Sequence, residues 1–100
     1  MSQRVFITGF GIISSIGLNY KETLASLMAE RPGIGEITLL DTIHKGKFPL
    51  AEVKMTNGEL LHVTGNSGRK DLTRTALLGM IAAKEAVDSA GIVSMTAYRT

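Results

Sequence analysis

Asp71-Leu72-Thr73-Arg74-Thr75-Ala76-Leu77-Leu78-Gly79-Met80-Ile81-Ala82-Ala83-Lys84-Glu85-Ala86-Val87-Asp88-Ser89-Ala90-Gly91 is the stretch on which the fold turns. It reads as one long helix from Asp71 to Ala90, with Ser67 or Asp71 available as its cap and Gly91 placed to end it. Its apolar residues, Leu72, Leu77, Leu78, Met80, Ile81 and Val87, do not make a single stripe. Rotated by about 100° per residue, Ile81 and Leu77 land beside Arg74, Lys84 and Asp88. Gly79, Ala82, Ala83, Ala86 and Ala90 add small surfaces that allow close backbone approach. A helix apolar over most of its girth belongs in an interior, covered on both sides. The elements upstream supply one such cover, so the chain reads as part of something larger.

Those upstream elements are short. Val5 to Thr8 is a continuously apolar run with β-branched residues, as expected of a strand buried on both faces. Gly9-Phe10-Gly11 ends it, and Gly17 closes a small-residue turn that includes Ser14 and Ser15. Asn19 is placed to cap a helix, with Glu22 in capping-box position. Tyr20, Leu24, Leu27 and Met28 then share one face, and Pro32-Gly33 stops the helix near Glu30. Beyond it, Ile37 to Leu40 and Phe48 to Met55 read as strands. Asn57-Gly58 reads as a hairpin turn leading into an extended Leu60 to Thr64. Gly65-Asn66-Ser67-Gly68 is a loop. Ile92 to Thr100 reads as the start of a further strand.

Composition narrows the functional classes. One hundred residues, 44% hydrophobic and 20% charged, describe an ordinary globular chain with room for one modest core. The net charge of +2 is spread along the sequence, with no basic stripe of the kind nucleic acid needs. There is no cysteine, which excludes disulfides, thiolate zinc sites and a cysteine nucleophile within these residues. No signal peptide is read at the N-terminus, and Thr75 to Ala83 is too short an apolar stretch to span a bilayer. The expected setting is cytoplasmic.

Arg4-Val5-Phe6-Ile7-Thr8-Gly9-Phe10-Gly11-Ile12-Ile13-Ser14-Ser15-Ile16-Gly17 closely resembles the opening of the β-ketoacyl-(acyl-carrier-protein) synthases. That opening is a basic residue, an apolar strand, Thr-Gly-x-Gly, two apolar residues and a Ser/Thr-rich turn closing on Gly. Further features agree in order: the helix from Tyr20, the turn at Gly33-Ile34, Phe48-Pro49 through Ala51-Glu52-Val53, and Ala82 to Ile92, which resembles Ala-Ala-Arg-Glu-Ala-Leu-x-Asp-Ala-Gly-Leu. The chain departs from the pattern at Thr73, where the family usually carries Asp, and across Asn57 to Gly68.

The resemblance implies an α/β chain forming the N-terminal part of a thiolase-like α-β-α-β-α layered fold, with residues 1–100 as a single partial domain. It also implies a decarboxylative Claisen condensation of acyl and malonyl thioesters, in fatty acid or polyketide synthesis. The nucleophilic Cys and two His of that reaction lie later in the family's sequence, so no catalytic residue is expected here. No cofactor or metal site is expected either. The partner implied for the parent enzyme is acyl carrier protein. Arg69, Lys70 and Arg74, clustered at the start of the long helix, are the candidate docking residues; Lys70 aligns with a family docking position. Electrostatic steering of an acidic carrier is the physical reason. The plain alternative is a solvated helix start, slightly unfavourable because cations sit at the positive end of the dipole.

Other signals favour bland readings. Gly9-x-Gly11 after a strand could open a dinucleotide fold, but Ser14 follows and the helix begins only near Tyr20. Glycines serving tight turns and close packing are the better reading. His44 and His62 have no ligand-spaced partner and read as surface or loop residues. Glu85 and Asp88 share a face without a second catalytic type nearby, and read as helix-surface charges. A Rossmann-type nucleotide-binding module or a non-catalytic interaction piece that self-associates through the long helix stand as the alternative functions.

Overall fold

The computed structural model describes residues 3–92. Helix α1 covers Tyr20–Met28, β1 Ile34–Gly35, β2 Leu50–Ala51, α2 Asn57–Val63 and α3 Arg74–Ser89. The two strands pair antiparallel, Ile34 with Ala51 and Gly35 with Leu50. This is a mixed α/β arrangement dominated by helix, with no layered sheet among the described residues.

Helix ends explain most of the local structure. The Asn19 side chain accepts from the Glu22 N–H at 2.9 Å, as its position in sequence predicts. The Glu22 carboxylate reaches back to the Leu18 N–H at 3.2 Å, one residue before a standard capping box. At the other end of α1, Arg31 N–H donates to Ser26 O, and Glu30 sits at a φ of 56°. That is a Schellman ending with glutamate in the left-handed position glycine normally takes. Helix α3 ends the same way, with Gly91 at a φ of 76° and N–H groups of Gly91 and Ile92 donating to Asp88 O and Val87 O. It starts three residues later than expected. Thr73 is its cap, accepting from the Ala76 N–H at 3.1 Å. Thr73 thus caps the helix with its hydroxyl, a job that an Asp carboxylate does equally well.

The expected hairpin at Asn57-Gly58 is instead the start of α2. Thr56 accepts from the Glu59 N–H at 3.1 Å, and Glu59 accepts from the Thr56 N–H at 3.3 Å. This reciprocal box satisfies two orphan donors at once and outweighs the turn preference of Asn-Gly. Met55, just before the box, packs with Leu60, four residues into the helix from the cap. Leu72 and Leu77 bracket the start of α3 in the same way and join the same cluster. Two hydrophobic staples thus make up most of the core, where α2 lies against α3.

Three further expectations are corrected. The run 5–8 pairs with no strand among the described residues, and Val5 is 91% exposed. A strand exists only through a neighbour's N–H and C=O groups, and none is offered. Ile37–Leu40 is not a strand, and of Phe48–Met55 only Leu50–Ala51 is paired. Helix α1 turns its small polar side inward: Thr23 and Ser26 are buried while Leu27 and Met28 are 62% and 79% exposed. Ser26 Oγ donates to Ile16 O at 2.6 Å, and Gly17 lies so close that a β-carbon on it would stand 2.3 Å from the Thr23 nitrogen. Small side chains are what that close approach requires.

Helix α3 is not covered all round. Leu77 is 1% exposed and Met80 40%, so one flank faces the core and another faces water. The chain exposes 7905 Å², against roughly 5,500 Å² for a compact protein of this mass. Its radius of gyration is 16.6 Å, against about 13 Å for a compact 100-residue domain. The open flank comes with a chain that is itself open. The expected strand at Ile92 to Thr100 lies, beyond Ile92, outside the described residues. No described helix is long and apolar enough to cross a membrane.

Between β1 and β2 the chain is held by one buried carboxylate. Glu52 accepts from the N–H groups of Thr38, Leu39 and Leu40 and from the Thr38 hydroxyl. The backbone N–H of Thr38, then its hydroxyl and the other two amides, outweigh burial and lower its pKa from 4.5 to about 2. A depressed carboxylate pKa stabilises the fold fully above the unfolded value, and the contribution fades as pH falls through the folded one. Acid titration followed by circular dichroism should therefore lose stability between pH 4.5 and 2, and Glu52→Gln should lack that component. A second expectation concerns Glu30: Glu30→Gly should raise stability by about 0.5–1 kcal/mol in urea denaturation, since it relieves left-handed strain at a small entropic cost.

Candidate functional site

The motif residues 9–12 lie along the C-terminal half of α3. A β-carbon built on Gly11 would stand 2.0 Å from Ala82 O, and one on Gly9 would stand 2.5 Å from the Ala90 nitrogen. Both glycines are therefore required by contact with the helix backbone, the packing role expected from sequence. No pyrophosphate can approach on the side that α3 occupies, which removes the support for a dinucleotide loop.

Two side chains of α3 fix the segment in register. Ser89 Oγ accepts from the Phe10 N–H at 2.9 Å and donates to Phe10 O at 3.1 Å. Glu85 accepts from the Ile12 N–H at 2.8 Å through Oε1 and from the Tyr20 N–H at 2.9 Å through Oε2. One carboxylate thus ties the motif, the first turn of α1 and α3 together. Phe10 and Tyr20 complete the joint with an edge-to-face pair, ring centroids 4.9 Å apart. Glu85 is therefore a fastener between segments and not the helix-surface charge that its spacing to Asp88 suggests. The signal was its spacing: Glu85 and Ser89 are four apart, on the helix face that carries Ala82 and Ala86. Asp88 is the surface charge of the pair, bound to Lys84 at 2.8 Å.

The three docking candidates do not form one patch of free charge. The Arg69 guanidinium pairs with Asp71 on the surface, and this contact holds the Asp71 carboxyl below and the Arg69 guanidinium above their ordinary pKa ranges. Lys70 is exposed. Arg74 is turned inward: it donates to Met55 O at 2.8 Å, Val53 O at 2.9 Å and Asn57 Oδ1 at 2.9 Å. A cation in the first turn of α3 is unfavourable towards the helix dipole. Here it gains three acceptors that pin α3 to the segment entering α2.

A groove of about 670 Å³ runs between the end of α2, α3 and the turn before α1, lined by Val63, Met80, Ile81, Lys84 and Glu85 among others. Its floor is apolar, and its one carboxylate within reach of a backbone donor, Glu85, is already spent. His44 is exposed and stacks at a tilt on Phe48, centroids 5.6 Å apart, and His62 is exposed on α2. No cluster of three potential metal ligands occurs among the described residues. Among the described residues, the polar groups gathered here are held by backbone amides and by one another.

Comparison with curated proteins finds 34% identity over 90 residues with 3-oxoacyl-[acyl-carrier-protein] synthase 1 of Haemophilus influenzae. The aligned part is 90% of this chain and 21% of that enzyme, so the chain spans about a fifth of the relative it matches. This is a partial relation to the 3-oxoacyl synthases. No protein-family profile matches the chain. No solved structure matches it.

The joint makes a quantitative expectation. Glu85→Ala removes an acceptor shared by two amides and should cost about 2 kcal/mol in urea denaturation. Gly11→Ala should cost more, because the clash is with backbone that cannot step aside. Gly79→Ala, where a β-carbon meets nothing within 4 Å, should be neutral to stabilising and serves as the control.

Proposed function

We propose that this chain is the opening framework of a β-ketoacyl-(acyl-carrier-protein) synthase, supplying structure to a condensing enzyme rather than its reacting groups. The observation that carries the reading is the 90-residue match to a 3-oxoacyl synthase at 34% identity. The match includes the Gly-x-Gly segment or its helix partner, since only ten residues fall outside it. The joint of Gly9, Gly11, Glu85 and Ser89 supports the same reading, because it gives the resembling motifs at the two ends of the chain a common structural purpose. With no cysteine among its residues, the chain holds no thiolate to accept an acyl group, and the condensation needs groups from elsewhere in the parent. The thiolase-like layering, the carrier-protein partner and a cytoplasmic setting belong to this proposal.

In the parent, Lys70 is the residue on this chain that steers an acidic carrier protein, with Arg69 beside it largely offset by its pairing with Asp71. Arg74 is left out, since its guanidinium is occupied by carbonyls. Steering by exposed charge acts mainly on the association rate and weakens with salt.

Two measurements test the reading. The reading frame beyond Thr100 should continue into a Cys in a small-residue turn between strand and helix, followed by two His; a stop codon there, or a continuation without them, overturns it. The chain alone should release no CO2 from malonyl-carrier protein above background, and turnover by the chain alone would contradict the framework role. For docking, Lys70→Glu in the parent should slow carrier-protein association about tenfold at low salt and far less at high salt, as read by stopped-flow fluorescence.

A further inference from the structure

Thr38, Leu39 and Leu40 turn three successive backbone N–H groups towards one point, and the Glu52 carboxylate fills it. Thr38 N–H donates to Oε1 at 2.7 Å, Leu39 N–H to both oxygens at 3.2 and 3.3 Å, and Leu40 N–H to Oε2 at 3.1 Å. The Thr38 hydroxyl adds a bond to Oε1 at 2.9 Å. Consecutive amides converging on an anion form a nest, a concavity that binds negative charge through backbone dipoles. The Glu52 side chain is 0% exposed, while the neighbouring cation, Lys54, is 3.5 Å away and half in solvent. The charge is therefore held chiefly by the backbone.

Little else secures this part of the chain. The strand pair has two residue pairs, Ile34 with Ala51 and Gly35 with Leu50, far short of an independently stable hairpin. Residues 43–48 are exposed throughout. Ile37 is buried, and it is adjacent in sequence to the first nest residue.

We infer that the backbone of residues 38–40 is a carboxylate-binding nest whose resident ligand is the chain's own Glu52, and that this internal latch holds the 36–49 segment in place. Glu52 is a positioning residue: it reads no substrate and fixes a stretch that two ladder pairs cannot. A nest defined by backbone geometry does not require its anion to be covalently attached. When the side chain is cut back, a free small carboxylate of formate or acetate size has the right charge, shape and acceptor count to replace it. Gln is a poor replacement, because its amide nitrogen turns donors towards donors.

The test is amide hydrogen exchange on the intact chain, comparing wild type, Glu52→Ala and Glu52→Gln, each in sodium formate and in sodium chloride of equal ionic strength. Glu52→Ala should exchange about tenfold faster or more at residues 38–40, the factor expected for losing charge-assisted bonds, with α3 amides unchanged. Formate should restore protection at those amides in Glu52→Ala but not in Glu52→Gln, and chloride should restore neither. Unchanged exchange at 38–40 in Glu52→Ala overturns the latch. Equal effects of formate and chloride overturn the nest. Loss of protection in α3 that formate does not recover also overturns the inference, since a latch local to this segment leaves α3 folded.

Discussion

The absence of two β-carbons, at Gly9 and Gly11, lets an irregular segment lie directly on the backbone of α3. Everything the motif contributes follows from that distance. At such range the amides of Phe10 and Ile12 are within reach of side chains on the helix, and Ser89 and Glu85 meet them at 2.9 and 2.8 Å. Glu85 then has a second oxygen free, which takes the Tyr20 N–H and so places the first turn of α1. A larger residue at either glycine would lift the segment and open all three bonds together.

This constraint matters because apolar burial alone is thin. The buried cluster is Met55, Leu60 and Leu77, assembled largely from the staples that bracket the starts of α2 and α3. Many apolar side chains, from Val5 to Val87, remain exposed. The structure is held instead by polar groups that find partners: no buried side-chain nitrogen or oxygen among the described residues lacks one. Glu52, Glu85 and Arg74 each draw together segments distant in sequence, and each does so mainly by binding backbone groups. Such bonds are directional, so they fix register where a small core cannot.

Helix punctuation was legible in the sequence, and burial was not. Asn19 and Gly91 stand where cap chemistry says they must, since a cap depends on residues within one turn. Thr56-x-x-Glu59 was equally local, but the Asn-Gly pair inside it drew the reading towards a hairpin. The apolar face of α1 pointed to the wrong side because spacing reports which residues share a face, not which neighbour that face meets. Thr23 and Ser26 face inward because Gly17 and Ile16 come too near for anything larger. The same limit applies to Val5–Thr8, whose apolar run announces a strand but cannot supply the partner. Glu52 was hidden for a different reason: the Thr38 amide it binds lies 14 residues away with no side-chain pattern to mark it. Glu85, bound to an amide 73 residues away, was marked only by the face it shares with Ser89, Ala82 and Ala86.

The chain is 34% identical over 90 residues to a 3-oxoacyl synthase, and the joint shows what its Gly-x-Gly step does physically. The Gly-x-Gly step works as a seat for a helix, with Glu85 and Ser89 as its fasteners. The most direct measurement is amide exchange at Phe10, Ile12 and Tyr20 alongside α3. If the motif is seated as described, Phe10, Ile12 and Tyr20 are protected, and under mild denaturant they open together as one unit. Exchange of Phe10 and Ile12 at unstructured rates while α3 stays protected would contradict the account.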